Sequence, residues 1–210
     1  MSLEYFQKVY TFCMIKTILF DADGVLLNGE KFGKVLAKEK NISEETTRDF
    51  FTGPFQEAIV GKKDLRDILP PFLTKWKWHG SVDTFMQYWF EAEQKIDEAL
   101  IAYIQKLRTR NIQCYIATNQ EKNRIEYMLK NMGFADAFDG VFASSHIGHK
   151  KPTLQFYEMV VASLKLKKDQ ILFWDDSEKN VDGAKHFGIH AHVYTTFDDF
   201  VATMRSEYKL

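Results

Sequence analysis

The chain has 210 residues, of which 45% are hydrophobic and 15% aromatic, enough for one full core and a smaller inserted domain. Its formal net charge of -1 leaves no basic excess for a nucleic-acid backbone or an anionic membrane, so we expect a small molecule as partner. No apolar run approaches the roughly 18 residues that span a bilayer, and the N-terminus lacks a secretory signal. The sequence therefore predicts a cytoplasmic protein.

Residues 1–14 form an N-terminal extension ahead of the first predicted strand. Met14 stands directly before that strand, so both Met1 and Met14 are candidate natural starts, and the sequence leaves the choice open. The two cysteines, Cys13 and Cys114, have neither metal-binding spacing nor a disulfide pattern. We expect them to be reduced thiols without a role.

The segment KTILFDADGVLLN, residues 16–28, begins as an unbroken row of β-branched or bulky apolar side chains. Such a row is typical of a strand buried on both faces of a parallel sheet. Asp21 and Asp23 follow at its C-terminal end, the edge at which open α/β sheets bind ligands. An ordinary turn explains these two aspartates equally well when they are considered alone.

In residues 29–96 apolar side chains recur at helical spacings, and Gly53-Pro54, Pro70-Pro71 and Gly80 interrupt this pattern. This pattern predicts a small inserted helical domain, the cap. We interpret its dense aromatic residues as the core of that domain, with the alternative that a minority of them wall a substrate. The aromatic residues are Phe72, Trp76, Trp78, Phe85, Tyr88, Trp89 and Phe90.

After the insert, helices and strands alternate regularly. The predicted elements are a long helix over 91–108, a strand over 113–117, a helix over 121–131, a strand over 141–143, a helix over 153–164, a strand over 171–174, a helix over 181–187, a strand over 190–194 and a last helix. Pro152 is expected to open the helix over 153–164 from its first turn. Repeated β-α units imply a parallel sheet with helices on both faces, built from residues 1–28 and 97–210.

Polar side chains follow three of these strands. They are Asp21 and Asp23, Thr118 and Asn119, and Asp175 and Asp176, with Lys151 just before Pro152. Because parallel strands end at one edge, we expect these residues to converge. Carboxylates about 4 Å apart repel each other by about 4 kcal/mol at an effective dielectric near 20, so the cluster needs a cation. Oxygen ligands without histidine or thiolate favour Mg²⁺, completed by a substrate phosphate oxygen. The set predicts a phosphoryl site.

Four segments, FDADGV, IATN, KKPTLQFY and FWDDSEKN, resemble in order the four motifs of the haloacid dehalogenase (HAD) superfamily of hydrolases. The resemblance covers Ile18 to about Tyr194 except the insert, whose position is similar to that of the family's helical C1 cap. It implies a Rossmann-like α/β core, a C1-type cap and Mg²⁺-dependent chemistry.

The resemblance also implies roles for individual residues. Asp21 resembles the nucleophile that forms an aspartyl-phosphate. Asp23 resembles the general acid that protonates the leaving alcohol and then, as a base, activates water. Thr118 and Asn119 would hold the transferring phosphoryl group, and Lys151 would offset the charge of nucleophile and phosphate.

The implied metal ligands are Asp21, Asp176 and the backbone carbonyl of Asp23, and Asp175 is expected either to bind the metal as well or to contact its ligands. Gly24 would let the chain turn away next to the phosphate. Two neighbouring sets remain as alternatives of lower weight. Lys150 is interpreted as a solvated neighbour of Lys151. Asn180 and Asp182 follow the fourth motif and could help to orient its loop, but a helix N-cap or a surface position is the preferred interpretation of both. His146 and His149 are interpreted as exposed loop residues, with contact to a substrate as the alternative.

The first functional hypothesis is a Mg²⁺-dependent phosphomonoester hydrolase for a small metabolite, of the sugar phosphate or nucleotide class. A dehalogenase of the same fold is the second, and Asp23 argues against it because the family's dehalogenases lack an acid at this position. A phosphomutase and a non-catalytic binding protein remain as further alternatives. The substrate and the oligomeric state stay open.

Overall fold

The computed structural model describes residues 15–210. The N-terminal extension, Cys13 and the candidate start at Met14 lie outside the described residues. Within the described range, five parallel strands form one sheet in the order β3-β2-β1-β4-β5. The strands are β1 (Thr17–Phe20), β2 (Gln113–Thr118), β3 (Gly140–Ala143), β4 (Ile171–Asp175) and β5 (His190–Val193).

Strand β1 lies at the centre of the sheet and is buried along its whole length. Its side chains alternate between the two faces, because Ile18 and Phe20 join one apolar core and Leu19 joins the other. Covering both faces explains why the row of apolar residues is unbroken. Phe20 pairs with Ile116 of β2 and Trp174 of β4. Residues that follow these three strands therefore emerge side by side.

Helices cover both faces of the sheet. They are α7 (Glu98–Thr109), α8 (Lys122–Asn131), α9 (Phe134–Ala137), α10 (Ser144–Ile147), α11 (Leu154–Leu164), α12 (Glu178–Phe187) and α13 (Phe197–Glu207), with a 3-10 turn at Lys168–Gln170. Helices α7, α8, α9 and α13 contribute to the core on one face, and α11 and α12 to the core on the other. This arrangement confirms the predicted α/β fold. Among residues 15–210, no helix combines the length and the apolar character needed to cross a membrane.

The inserted segment folds into six helices that share an apolar cluster of their own. They are α1 (Phe32–Lys40), α2 (Glu44–Thr52), α3 (Pro54–Ile59), α4 (Leu65–Ile68), α5 (Pro70–Lys75) and α6 (Val82–Ala92). All seven aromatic residues singled out in the sequence lie in this cluster or pack against it, as expected for core residues. Phe85, for example, is fully buried and contacts the rings of Phe32 and Trp76.

The two chain crossings between cap and core pair with each other. Leu27 forms an antiparallel bridge with Ile96, and the Asn28 N–H donates to the Lys95 carbonyl at 2.8 Å. The prediction of one long helix over 91–108 was wrong, because these paired residues separate α6 from α7. Asp97 then starts α7 as its N-cap, with its side chain accepting from the Leu100 N–H at 3.0 Å.

The expected position of Pro152 in a first helical turn was also wrong. Helix α11 begins at Leu154 with Thr153 as its N-cap, so Pro152 lies ahead of the cap. It belongs to a turn closed by the Thr153 N–H, which donates to the Lys150 carbonyl at 3.0 Å. The peptide bond between Lys151 and Pro152 is cis.

Candidate active site

Three carboxylates meet at the C-terminal edge of the sheet. Asp21 follows β1, Asp175 ends the neighbouring β4, and Asp176 comes next; each offers one oxygen, and these atoms lie within 4.8 Å of one another. Asp21 and Asp175 are buried, whereas Asp176 is exposed. An all-oxygen donor set of this size suits a hard cation such as Mg²⁺.

The two oxygens of Asp21 have different surroundings. Oδ1 accepts hydrogen bonds from the Ala22 N–H at 2.7 Å and from Lys151, whose Nζ lies at 2.8 Å. Oδ2 accepts none from residues 15–210. Burial raises the pKa of Asp21 to about 7, and the nearby charge of Asp175 adds to this, while Lys151 opposes it. Asp21 therefore depends on positive charge beside it to stay ionised near neutral pH.

Lys151 is buried between two acids. Its Nζ lies 2.6 Å from Asp175 Oδ2, in addition to the contact with Asp21. Burial disfavours the ammonium, but Asp21 and Asp175 outweigh this effect and raise the pKa of Lys151. Asp175 also accepts from the Ser177 N–H at 2.9 Å and from Asn180 Nδ2 at 3.0 and 3.1 Å. Each of its oxygens thus accepts two hydrogen bonds, so Asp175 holds Lys151 in a fixed orientation.

Thr118 is the last residue of β2, the strand on the other side of β1, and Asn119 follows it directly. Thr118 is buried, and its hydroxyl has no hydrogen-bond partner in the part of the chain that the structure describes. The Asn119 side chain is fully engaged with the backbone of Lys151. Its Nδ2 donates to the Lys151 carbonyl at 3.0 Å, and its Oδ1 accepts from the Lys151 N–H at 2.8 Å. Asn119 therefore holds the loop that presents Lys151, and any support for a phosphate is indirect.

Gly24 makes room for Asp176. Its φ of 79° lies in the left-handed region, and a Cβ at this position would lie 2.3 Å from Asp176 Oδ2. The Asp176 carboxylate accepts no hydrogen bond from the described residues. Desolvation by neighbouring protein atoms and the charge of Asp175 raise the pKa of Asp176. Asp176 thus has lone pairs available for a cation, close against the turn that follows Asp21.

Asp23 follows β1 two residues after Asp21 and is exposed to solvent, although neighbouring protein atoms partly desolvate its carboxylate. The resulting desolvation raises the pKa of Asp23, and the charges of Arg124 and Lys151 act in the opposite direction. Its Oδ2 accepts a hydrogen bond from Gln120 Nε2 at 2.5 Å. A raised pKa suits a group that must carry a proton at neutral pH.

Sequence reasoning missed several residues at this edge. Gln120 follows Thr118 and Asn119 directly, so its position at the strand end was an available signal. The preferred expectation for Asn180, a helix cap or a surface position, was wrong, and the alternative that it orients the loop fits the structure, because its side chain donates to Asp175. Lys150 donates to Gln56 Oε1 of the cap at 2.6 Å, so its interpretation as a solvated neighbour was wrong as well.

Other residues lie as expected or carried no signal. His146, His149 and Asp182 are exposed. Arg124 is buried in α8, and its guanidinium donates to the carbonyls of Phe90 at 2.7 Å and Glu93 at 3.2 Å, at the end of cap helix α6. No sequence motif marks it.

The fold and the acid cluster define a hydrolase of the haloacid dehalogenase-like class. The family model of haloacid dehalogenase-like hydrolases matches residues 15–188, and the chain belongs to this family.

Among individual proteins, the chain is similar to D-ribitol-5-phosphate phosphatase of Bacteroides thetaiotaomicron, with 26% identity over 83% of this chain and 89% of that protein. It is also similar to the phosphorylated carbohydrates phosphatase of Thermotoga maritima, with 20% identity over 83% and 82% of the two chains. Sesquiterpene phosphatase astK of Aspergillus oryzae is 31% identical over 44% of this chain, and the match spans 47% of that protein. The match to drimenol cyclase drtB of Aspergillus calidoustus spans 20% of that protein.

Solved structures share the fold. A HAD family enzyme of Bacteroides thetaiotaomicron, in complex with magnesium and inorganic phosphate, superposes with a TM-score of 0.78 at 20% identity, over 91% of this chain and all of that one. L-2-haloacid dehalogenase of Xanthobacter autotrophicus with chloropropionic acid covalently bound has a TM-score of 0.62 at 19% identity, over 92% of this chain and 83% of that one.

Proposed function

We propose that the chain is a Mg²⁺-dependent phosphomonoester hydrolase that acts on a small phosphorylated metabolite through an aspartyl-phosphate at Asp21. One observation carries this proposal. Carboxylate oxygens of Asp21, Asp175 and Asp176 lie within 4.8 Å of one another, and the buried ammonium of Lys151 lies 2.8 Å from Asp21. Such a cluster combines a nucleophile, a cation site and a fixed positive charge for a phosphoryl group.

The metal would be held by Asp21, Asp176 and the backbone carbonyl of Asp23. Asp175 stands beside them and contributes mainly by holding Lys151, since hydrogen bonds already occupy both its oxygens. When bound, Mg²⁺ would offset the negative charge of the acids and polarise a phosphate oxygen. The magnesium and phosphate complex of the structurally similar HAD family enzyme supports this choice of cation.

The chain's own residues account for the remaining chemistry. A carboxylate oxygen of Asp21 attacks phosphorus as the bond from phosphorus to the ester oxygen breaks, and Asp23 gives its proton to the leaving oxygen. Asp23, now ionised, takes a proton from the water that attacks the aspartyl-phosphate. The Thr118 hydroxyl donates to a phosphoryl oxygen, and Lys151, held by Asn119, offsets the accumulating charge.

The substrate class is inferred from the relatives that match over most of their length. Their names specify D-ribitol 5-phosphate and phosphorylated carbohydrates, so we propose a sugar phosphate, with nucleotides as the next class to test. Haloacid dehalogenases also match, at 25% identity over 40% of the chain. Asp23 favours a phosphatase over a dehalogenase, because only ester cleavage needs a proton for the leaving group. The cytoplasmic location and the absence of nucleic-acid and membrane partners stay predictions.

Hydrolysis of p-nitrophenyl phosphate, with and without Mg²⁺, tests the proposal. We expect activity that EDTA abolishes and Mg²⁺ restores, and that Asp21→Asn lowers by at least about a thousandfold. Asp198→Asn, which changes an exposed acid on α13, is the matched control and should retain full activity.

Activity that survives both EDTA and Asp21→Asn would contradict the mechanism. A panel of sugar phosphates and nucleotides, run beside a 2-haloacid, then separates the substrate classes. Turnover of the haloacid with none of the phosphate esters would replace the phosphatase by a dehalogenase.

A further inference from the structure

Gln120 makes the single hydrogen bond that the side chain of Asp23 receives from residues 15–210. It is 8% exposed and follows Thr118 and Asn119 at the end of β2, and its Nε2 lies 2.5 Å from Asp23 Oδ2. The two residues are 97 positions apart in sequence. Their contact exists because β1 and β2 are paired neighbours, so the segments that follow them emerge side by side.

The atom of Gln120 that faces Asp23 follows from the chemistry of the two groups. An ionised carboxylate only accepts hydrogen bonds, so the amide must present its NH₂ group to it. A hydrogen bond from a buried amide to a charged oxygen is short and directional. With Nε2 of Gln120 donating to Oδ2, Oδ1 is the oxygen of Asp23 that no described residue engages, and we assign the transferred proton to it.

None of the positively charged side chains near Asp23 fixes the orientation of its carboxylate. Arg124, Lys151 and Lys31 all act on Asp23 through space, and none of them hydrogen-bonds to it in the described structure. Arg124 directs its guanidinium to carbonyls of the cap, and Lys151 to Asp21 and Asp175. A through-space charge favours the ionised form but leaves rotation of the carboxylate free.

We infer that Gln120 is a positioning residue that fixes the Asp23 carboxylate, so that Oδ1 gives its proton to the leaving oxygen and later takes one from water. This inference rests on the proposed phosphatase function. In the first step the Oδ1–H bond breaks as the proton moves to the oxygen released from phosphorus. In the second step Oδ1 regains a proton from the attacking water. Gln120 itself exchanges no proton and touches no substrate.

Two aryl phosphates of nearly equal shape test this role. Nitrophenolate leaves readily without a proton, whereas phenolate gains more from an acid, so phenyl phosphate depends more on a correctly oriented Asp23. The value of kcat/KM reports the steps up to the first bond cleavage and is independent of aspartyl-phosphate hydrolysis. We expect Gln120→Leu to lower kcat/KM about tenfold or more for phenyl phosphate and less than about threefold for p-nitrophenyl phosphate. The ratio of the two values is insensitive to the fraction of folded enzyme.

A double-mutant cycle and a control complete the design. In an Asp23→Asn background, Gln120→Leu should change neither rate further, because the group that it positions is gone. Gln56→Leu, which removes the cap hydrogen bond to Lys150 and contacts no carboxylate among the described residues, should keep the wild-type ratio. An equal fall for both substrates, or a further loss in the Asp23→Asn background, would overturn the inference and leave the phosphatase function standing. Wild-type enzyme that hydrolyses neither ester would overturn both.

Discussion

Gly24→Ala is expected to damage the cation site while leaving the fold intact. The added Cβ would lie 2.3 Å from Asp176 Oδ2 and 2.6 Å from its Cγ, well inside ordinary contact distance. Asp176 must therefore withdraw by about 1 Å, away from Asp21, with which it shares the proposed metal. The left-handed φ of 79° adds a backbone cost of about 1–2 kcal/mol.

A matched control separates the steric effect on Asp176 from the backbone cost of the positive φ. Gly133 has a nearly equal φ of 74°, and a Cβ there meets nothing within 4 Å. Gly133→Ala should therefore lose the same 1–2 kcal/mol of unfolding free energy, about as Gly24→Ala does, without touching the site. A displacement of about 1 Å at a ligand can cost about a hundredfold in function. We expect Mg²⁺ to bind Gly24→Ala about a hundredfold more weakly and Gly133→Ala as tightly as the wild type.

Isothermal titration with Mg²⁺ measures the affinities directly, and denaturant unfolding with and without Mg²⁺ provides an independent check. A hundredfold loss of affinity removes about 2.7 kcal/mol of the stabilisation that saturating Mg²⁺ provides. Equal Mg²⁺ affinity in Gly24→Ala and the wild type would show that Asp176 is not a ligand, and the assignment of the metal site would fail.

Three further predictions concern the surroundings of the site. Burial, with the charge of Asp23, raises the pKa of Glu93 from 4.5 to about 7, so the unfolded chain loses this proton first and stability falls as pH rises from about 4.5 to 7. Glu93→Gln removes this pH dependence. Between about pH 4.5 and 7, the unfolding free energy of the wild type should therefore fall relative to that of Glu93→Gln by at most about 3 kcal/mol. A difference between the two proteins that stays constant over this range would refute the raised pKa of Glu93. Asp175→Asn removes the charge that holds Lys151 and should lower kcat on p-nitrophenyl phosphate at least about tenfold, whereas a change under twofold would contradict this role. Ser144→Ala deletes a 2.6 Å hydrogen bond to the carbonyl of Ile59 in the cap, and denaturant unfolding should register a loss of about 1 kcal/mol; an unchanged midpoint would show that the bond adds nothing.

The strands of the core were predictable because local chemistry and tertiary environment agree there. Residues 17–20 are β-branched or bulky and apolar apart from the Thr17 hydroxyl, and β1 occupies those same positions between two covered faces. The helix over 91–108 was mispredicted because continuous helical propensity conceals the crossing between cap and core. The helix is interrupted there because Ile96 pairs with Leu27. The two residues are too far apart in sequence for this pairing to be predicted from local patterns.

The acids of the site were predictable for a topological reason. Strands of one parallel sheet end together, so Asp21 and Asp175 had to meet once their strands were identified. Gln120 was missed, and the orienting role of Asn180 was given less weight, because what an amide side chain does depends on its hydrogen-bond partner elsewhere in the chain. Asp23 and Asp175 are those partners. The residues proposed to perform the chemistry are thus easier to predict from the sequence than those that orient them.

The cap and the core are separate apolar units joined largely through polar contacts. Their buried clusters share no residue, and Tyr127 packs against both from the edge. The joints are hydrogen bonds and ion pairs: Asn123 and Lys122 with Asp64, Ser144 with Ile59, Lys150 with Gln56, and Arg124 with Phe90. Each such bond contributes about 0.5–1.5 kcal/mol net, so displacing the cap costs a few kcal/mol, far less than unfolding either core. We therefore expect substitutions in the cap to leave the acid cluster intact, because the hydrogen bonds and ion pairs of that cluster all lie within the core.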